Sequence, residues 1–217
     1  MCGRITRNSS RPMIIEEFGV SQFASVDLDP RYNIAPSQNV EAIVRVDDAL
    51  RLGPMRWGFE RTADSRHKPI NARAETVARS AMFAEAFERR RCLVVADGFY
   101  EWRKTGQGKT PYFIHLRSAR PFGLAGIWSS YRDAQGMKVA TCAIITCAPN
   151  KLMAPIHDRM PVIVAAGDRE RWLLQGTPPS ELHALLRPFD AEPMEAYEVS
   201  PLVNSPRNDS PECIARA

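Results

Sequence analysis

The spacing of apolar residues changes along the chain, and the changes predict short helices alternating with strands. Over residues 12–18 apolar side chains recur at helical intervals and stop at Gly19, which is suited to close a helix. Residues 40–46 alternate as a half-buried strand does, with Asp47 and Asp48 as the following turn. Met82, Phe83, Ala86 and Phe87 lie three and four apart, predicting a helix between Arg79 and Arg91 whose arginine-rich end suits the negative helix pole. Residues 92–96 form an apolar run that reads as a buried strand, broken at Asp97 and Gly98. Further strands are predicted at 111–116, 123–131 and 138–147, with a turn at 133–136. Helices at 168–175 and 180–186 follow, then a last strand at 197–203 and a polar tail whose Asn204 and Asn208 are expected to return to the site. The pattern is that of an α+β protein with one largely antiparallel sheet. Residues 2–210 are read as one domain and residues 211–217 as a disordered tail.

Composition narrows the function classes. A chain of 217 residues buries a sizeable core without a metal or a disulfide. Twenty-nine Lys and Arg against 25 Asp and Glu give a net charge of +4, which admits nucleic acid as a partner without requiring it. The bias concentrates in residues 51–91, where ten bases face five acids. Cysteines fall at 2, 92, 142, 147 and 213, an odd number in a long chain, the usage of a reduced, cytosolic protein. Cys142 and Cys147 lack a second ligand pair and are read as core, so no metal and no other cofactor is expected. No apolar run approaches the roughly eighteen residues of a membrane span. A monomer is the default state.

Several stretches carry candidate chemistry. Cys2 follows the initiator, and a side chain this small lets an aminopeptidase remove Met1. The exposed terminus would then carry an amine with pKa near ~8 and a thiol near ~8.5 on adjacent carbons. Such a pair condenses with an aldehyde, the amine forming a Schiff base and the sulfur closing a thiazolidine ring. Taken alone, a second-position cysteine is more often an ordinary residue on a frayed terminus. Met55–Phe59 interleaves Arg56 with Trp57 and Phe59, and Gly58 admits close approach to the backbone; this is the composition of a single-strand stacking platform, or of a half-buried strand with Trp57 in the core. Extended geometry places Asn71, Arg73 and Glu75 on one face. Glu101, between Tyr100 and Trp102, is either a desolvated proton-transfer carboxyl or the ion-pair partner of Arg103 or Lys104. His157, in a polar turn before an apolar strand, is able to change protonation near neutral pH. The string 104–110 ends in Gly-Lys-Thr as a phosphate loop does, but Arg103 stands where that pattern needs glycine, so it reads as a hairpin turn.

Taken in order, Cys2-Gly3-Arg4, Arg31-Tyr32-Asn33-Ile34-Ala35-Pro36, Trp57-Gly58, the segment Asn71 to Thr76, the segment Ala96 to Trp102 and His157-Asp158-Arg159-Met160-Pro161 resemble the SRAP family from residue 2 to about 208. Its members are abasic-site-processing proteins, also labelled SOS response-associated peptidases. The resemblance implies one SRAP-like domain with a curved or barrel-like sheet, flanking helices and a positively charged groove. It implies a covalent thiazolidine crosslink between Cys2 and the aldehyde of an abasic site in single-stranded DNA, assisted by Asn71, Glu101 and His157. It further implies that Arg4, Arg73, Arg79 and Arg159 hold phosphates, that Trp57 and Gly58 support the strand, and that Asn33 and Pro36 line its channel. Some members place a base just before the Met-Phe pair, where this chain has Ala81. Two other readings stand beside this one: a thiol peptidase using Cys2 and His157, possible as removal of Met1 alone, and a single-strand binding module that needs no chemistry at Cys2.

Overall fold

The computed structural model describes residues 2–24, 28–106 and 108–217. The N-terminal part contains β1 (Ile5–Arg7), α1 (Arg11–Phe18), β2 (Gln22–Phe23), β3 (Arg31–Ile34), β4 (Asn39–Val46), β5 (Ala49–Trp57) and β6 (Asn71–Arg73). The middle contains α2 (Ala84–Arg89), β7 (Arg91–Ala96), β8 (Gly98–Thr105), β9 (Gly108–Leu116), β10 (Phe122–Arg132) and β11 (Lys138–Cys147). Two-residue strands β12 (Met160–Pro161) and β13 (Ile163–Val164) precede α3 (Arg169–Leu173), α4 (Pro179–Leu185) and β14 (Met194–Glu198).

Five of these strands close on themselves. β4 pairs with β5 and β7, β7 with β10, and β10 with β11, all antiparallel, and a short parallel contact of Thr141–Cys142 with Arg56–Trp57 joins β11 back to β5. The mixed α+β domain is therefore built on a five-stranded barrel, and closure hides strand edges that would otherwise seek partners. Apolar side chains on both faces of these strands are buried, among them Val40, Ala42, Ile43, Leu52, Trp57, Leu93, Val95, Leu124, Ile127 and Ile144. A second, five-stranded sheet runs β14-β9-β8-β1-β3 along one side.

Most sequence-derived boundaries hold within a residue or two. α1 ends at Gly19, whose φ of +66° is the left-handed geometry a glycine cap supplies. The helix predicted between Arg79 and Arg91 is shorter, because Val77–Arg79 forms a 3-10 turn and Met82 and Phe83 lie in a turn before α2 begins at Ala84. The last predicted strand divides: β14 stops at Glu198, and Pro201, which has no amide hydrogen to give a ladder, opens a 3-10 turn over Pro201–Asn204. Residues 211–217, expected to be disordered, are held in place. Pro211–Ile214 forms a 3-10 turn with Cys213 fully buried, Val199 bridges Arg216, and the Ala217 amide donates to the Glu198 carbonyl at 3.0 Å. The reason is a small satellite core of Tyr100, Phe113, Val199, Val203 and Cys213, which the tail covers. Among the described residues no helix is long and apolar enough to cross a membrane.

Candidate active site

Cys2 enters the site because β1 is inserted between β3 and β8. Ile5 lies opposite Ile34 on one side and Phe99 on the other, and the Tyr100 amide donates to the Arg4 carbonyl at 3.0 Å. The ladder thus runs Cys2–Arg4 alongside Tyr100 and Glu101. The corner is tight. A Cβ at Gly98 would collide with the Phe113 ring, so glycine is required where β8 begins. Asp97 fixes the turn by accepting from the amides of Asn8 at 2.6 Å and Ser9 at 2.9 Å.

Asn71 arrives from the opposite side on β6, which pairs in parallel with Ile144–Thr146 of β11. Its Nδ2 donates to the Cys2 carbonyl at 2.8 Å, while its buried Oδ1 has no hydrogen-bond partner among the described residues. Alternation along this segment follows the sequence expectation: Asn71, Arg73 and Glu75 face outward, and Ala72 and Ala74 are buried. His157 follows a turn in which its amide donates to the Met153 carbonyl at 2.9 Å. β12, paired with Thr146 and Cys147, holds the other end of that loop.

The imidazole and the Glu101 carboxyl face each other, Nε2 to Oε2, at 3.7 Å. Two groups meet Nδ1 at 3.0 Å, the Arg159 amide and the Asp158 carboxylate; the amide hydrogen has the hydrogen-bond alignment, and the neutral ring it selects carries its proton on Nε2, toward Glu101. Burial raises the Glu101 carboxyl to about 7, and the nearby Asp158 carboxylate adds to the rise. Burial also holds the His157 imidazole below its ordinary range. The Cys2 thiol is fully buried and pushed far up, first by desolvation and then by the Glu101 charge. At neutral pH the three groups are thus a neutral thiol, a carboxyl close to half-ionised and a mostly neutral imidazole. That set suits proton transfer more than thiolate attack. Glu101, Trp102, Lys104, Lys109, His157 and Asn204 line an open cavity of about 340 Å³ beside it. Among the described residues no three His, Cys, Asp or Glu groups are placed to hold a metal ion.

The structure brings Cys2, Asn71, Glu101 and His157 together and disperses the rest of the sequence-derived set. Trp57 is 0 % exposed and its indole donates to the Ile70 carbonyl at 2.9 Å, so it belongs to the barrel core and presents no stacking face. Gly58 is buried too; its φ of +143°, which side chains rarely adopt, explains the glycine without a ligand. Asn33 is also 0 % exposed, donating to the carbonyls of Ser205 at 3.0 Å and Asn208 at 2.7 Å instead of lining a channel. Arg4 donates to Asn33 Oδ1 and to the Val203 carbonyl, each at 2.6 Å, and is engaged in fastening the tail. Arg159 forms a two-pronged pair with Glu75 at 2.6 and 3.0 Å and also donates to the Thr146 carbonyl. Pro36 is half-buried in the turn before β4, and Arg73 and Arg79 are exposed.

Asn204, expected to return to the site, does line the cavity, but sequence reasoning gave Trp102, Lys104 and Lys109 no place in its wall. Trp102 is half-buried there, its indole donating to Asn204 Oδ1 at 2.7 Å and the Arg4 guanidinium lying 5.7 Å from its ring centre. Strand alternation could not have signalled it, since it turns Trp102 to the face opposite Glu101, and only the tertiary arrangement brings both to one cavity. Nothing local signals Asp209, whose carboxylate accepts from the Asn33 amide at 2.9 Å and from Arg31 at 2.6 Å across a separation of more than 170 residues.

The family model described as "SOS response associated peptidase (SRAP)" matches residues 1–206. The abasic site processing protein YoqW of Bacillus subtilis (strain 168) is 43% identical over 221 residues, covering 99% of each chain. The abasic site processing protein YedK of Escherichia coli (strain K12) is 30% identical, again over 99% of each. A crystal structure of a protein from Bacteroides thetaiotaomicron superposes with a TM-score of 0.87 at 27% identity, covering 100% of both chains. In sequence and in architecture, this chain belongs to the SRAP family.

Proposed function

We propose that this protein processes abasic sites in single-stranded DNA by forming a covalent thiazolidine link through Cys2 once Met1 has been removed. The observation that carries the reading is the convergence of four separate chain segments: Asn71 holds the Cys2 carbonyl, the Glu101 charge acts on the Cys2 thiol, and Glu101 faces His157 where both line the cavity. Relatives named abasic site processing proteins support it across nearly the whole chain. The chemistry balances without a cofactor. The α-amine attacks the aldehyde carbon and one water leaves, giving an imine; the Cys2 sulfur then adds to that carbon while the thiol proton passes to the imine nitrogen.

Each neighbour has a task in that sequence. A carboxyl titrating near 7 both accepts the proton shed by the attacking group and returns it to the leaving hydroxyl. Asn71 Nδ2 fixes the Cys2 carbonyl, and its buried Oδ1 is available to the amine that forms when Met1 leaves. His157 Nε2–H lies on the Glu101 side, suited to donate a hydrogen bond to the sugar ring oxygen and, from the minority of rings that carry a second proton, to transfer that proton as the ring opens to the aldehyde. Arg73 and Arg79 are the exposed bases of the original set and serve the flanking phosphates. A raised thiol pKa supports this reading over a thiol peptidase, which needs an activated thiolate.

Intact-protein mass spectrometry tests it, with a single-stranded oligonucleotide carrying one abasic site. The expected result is loss of Met1 followed by an adduct of the oligonucleotide mass minus one water, absent from Cys2→Ala. A chain verified to begin at Cys2 that forms no adduct overturns the proposal.

A further inference from the structure

The hairpin of β8 and β9 leans over the same cavity. Its residues 103–110 contain three bases and no acid. Arg103 is neutralised by Glu198 at 2.9 Å, which leaves Lys104 and Lys109. These two are directly opposite each other in the antiparallel ladder. Cross-strand neighbours have Cβ atoms about 5 Å apart, and like charges in that register destabilise a hairpin. Both lysines are exposed, both line the cavity with Glu101, His157 and Asn204, and neither forms an ion pair among the described residues. Lys104 also lines the adjoining cavity that contains Asp158, and it lies close enough to act on His157, adding to burial in holding the imidazole low. The carboxylates near the lysines do not neutralise them: Glu101 is buried and close to half-protonated, and Asp158 is solvated with its side chain 89% exposed.

A repulsive pair placed at a site mouth is relieved by an anion bound between the two ammonium groups. Trp102 stands beside the lysines on the same wall, giving that anion's neighbouring group an aromatic surface. A nucleic-acid strand supplies both, a phosphodiester for the charges and a base for the ring. We infer that Lys104 and Lys109 form a phosphate clamp that holds the DNA backbone beside the lesion, on the hairpin side of the site, opposite the bases assigned to the strand from residues 51–91. The clamp rests on the functional reading above and extends it: the strand contacts the protein on two sides of Cys2, and the second side is the glycine-flanked segment that mimics a phosphate loop in sequence.

The test measures noncovalent binding of undamaged single-stranded oligonucleotide in the Cys2→Ala background, across a salt series, with and without Lys104→Gln plus Lys109→Gln. Arg132→Gln plus Lys138→Gln, both exposed on the β10–β11 hairpin, likewise removes two positive charges and controls for net charge. Loss of one shared phosphate contact lowers the slope of log affinity against log salt by roughly 0.7, and affinity at low salt falls about three- to tenfold. The control should leave the slope unchanged. Equal slopes in the clamp variant and its parent overturn the inference, and so does an equal loss in the control. In a chain retaining Cys2, the double variant should still reach full adduct yield at saturating abasic DNA. A lowered plateau would mean that the hairpin supports the chemistry or the fold, and would also overturn the clamp. Because binding is read without Cys2, failure of the crosslinking proposal and failure of the clamp give different results.

Discussion

Two glutamates near the site, Glu101 and Glu75, sit beside basic partners and are displaced in opposite directions. Glu101 is buried and faces an imidazole 3.7 Å away that is mostly uncharged at neutral pH, so desolvation wins and its carboxyl rises to about 7. Glu75 has a side chain 53% exposed and is gripped by the two-pronged Arg159, so the charge-assisted hydrogen bonds win and its carboxyl falls below its ordinary range. A partner stabilises a carboxylate only when it is charged and aligned, and when burial has not already removed the water that ionisation needs. The first glutamate is consequently a group for moving protons, and the second is a tie that fixes the loop carrying His157.

The largest expected effect breaks the contrast at its reactive member. Glu101→Gln should slow adduct formation on the order of 100-fold or more, the usual size of a general acid–base contribution, and abolish the inflection near pH 7 in the rate profile. Single-turnover kinetics across pH 5 to about 9 would show it; an unchanged inflection would assign the titration elsewhere.

The same substitution should stabilise the fold. Glu101 holds its proton more tightly folded than unfolded, so between about 4.5 and about 7 the native state binds more protons, and stability declines as pH rises through that window. Above it the ionised, buried carboxylate costs on the order of 3 kcal/mol, at about 1.4 kcal/mol per unit. Glu101→Gln should therefore exceed the parent in denaturant midpoint at pH 8 and match it near pH 4. Equal midpoints at both values would contradict burial as the cause of the rise.

For Glu75 the sign reverses. Its depressed carboxyl contributes stability above the ordinary carboxylate range and loses it as pH falls through the lowered value. Glu75→Gln should lose no more than about 1 kcal/mol at pH 7, because the pair is half-exposed and screened, and the difference should vanish in acid. A loss that persists unchanged at pH 2 would point to packing rather than charge. The smallest effect sharpens the comparison: Asp158→Asn removes a carboxylate that adds to the Glu101 rise, so the rate inflection should move slightly toward acid. A move toward base would place Asp158 outside that influence.

The residues of the reactive corner were legible in the sequence because each sits in a short, distinctive string, and local rules say how each string behaves. Asn71 alternates outward on its strand, Glu101 follows a forced glycine, and His157 lies in a loop tied down at both ends. Trp57, for which core and stacking platform both stood open, and Asn33, read as a turn or channel residue, were left undecided for one reason: the neighbours that bury them come from far along the chain. β5 reads as a half-buried strand by itself, but β11 pairs with its end and closes the barrel over Trp57. Asn33 reads as a turn residue until Val203, Ser205 and Asn208 arrive from some 170 positions away.

The sequence by itself determined the periodicities that set strands and helices, the glycines that the corner and the helix cap require, and which nucleophile, acid and imidazole are available. Those are local properties, fixed by backbone sterics and side-chain chemistry. Only the tertiary structure decided which bases are spent on the protein's own carbonyls and carboxylates, as Arg4 and Arg159 are, and which stay available, as Lys104 and Lys109 do. It also decided that Glu101 titrates near neutrality, because desolvation is a sum over every segment packed around a group, and no single segment of the chain contains that sum.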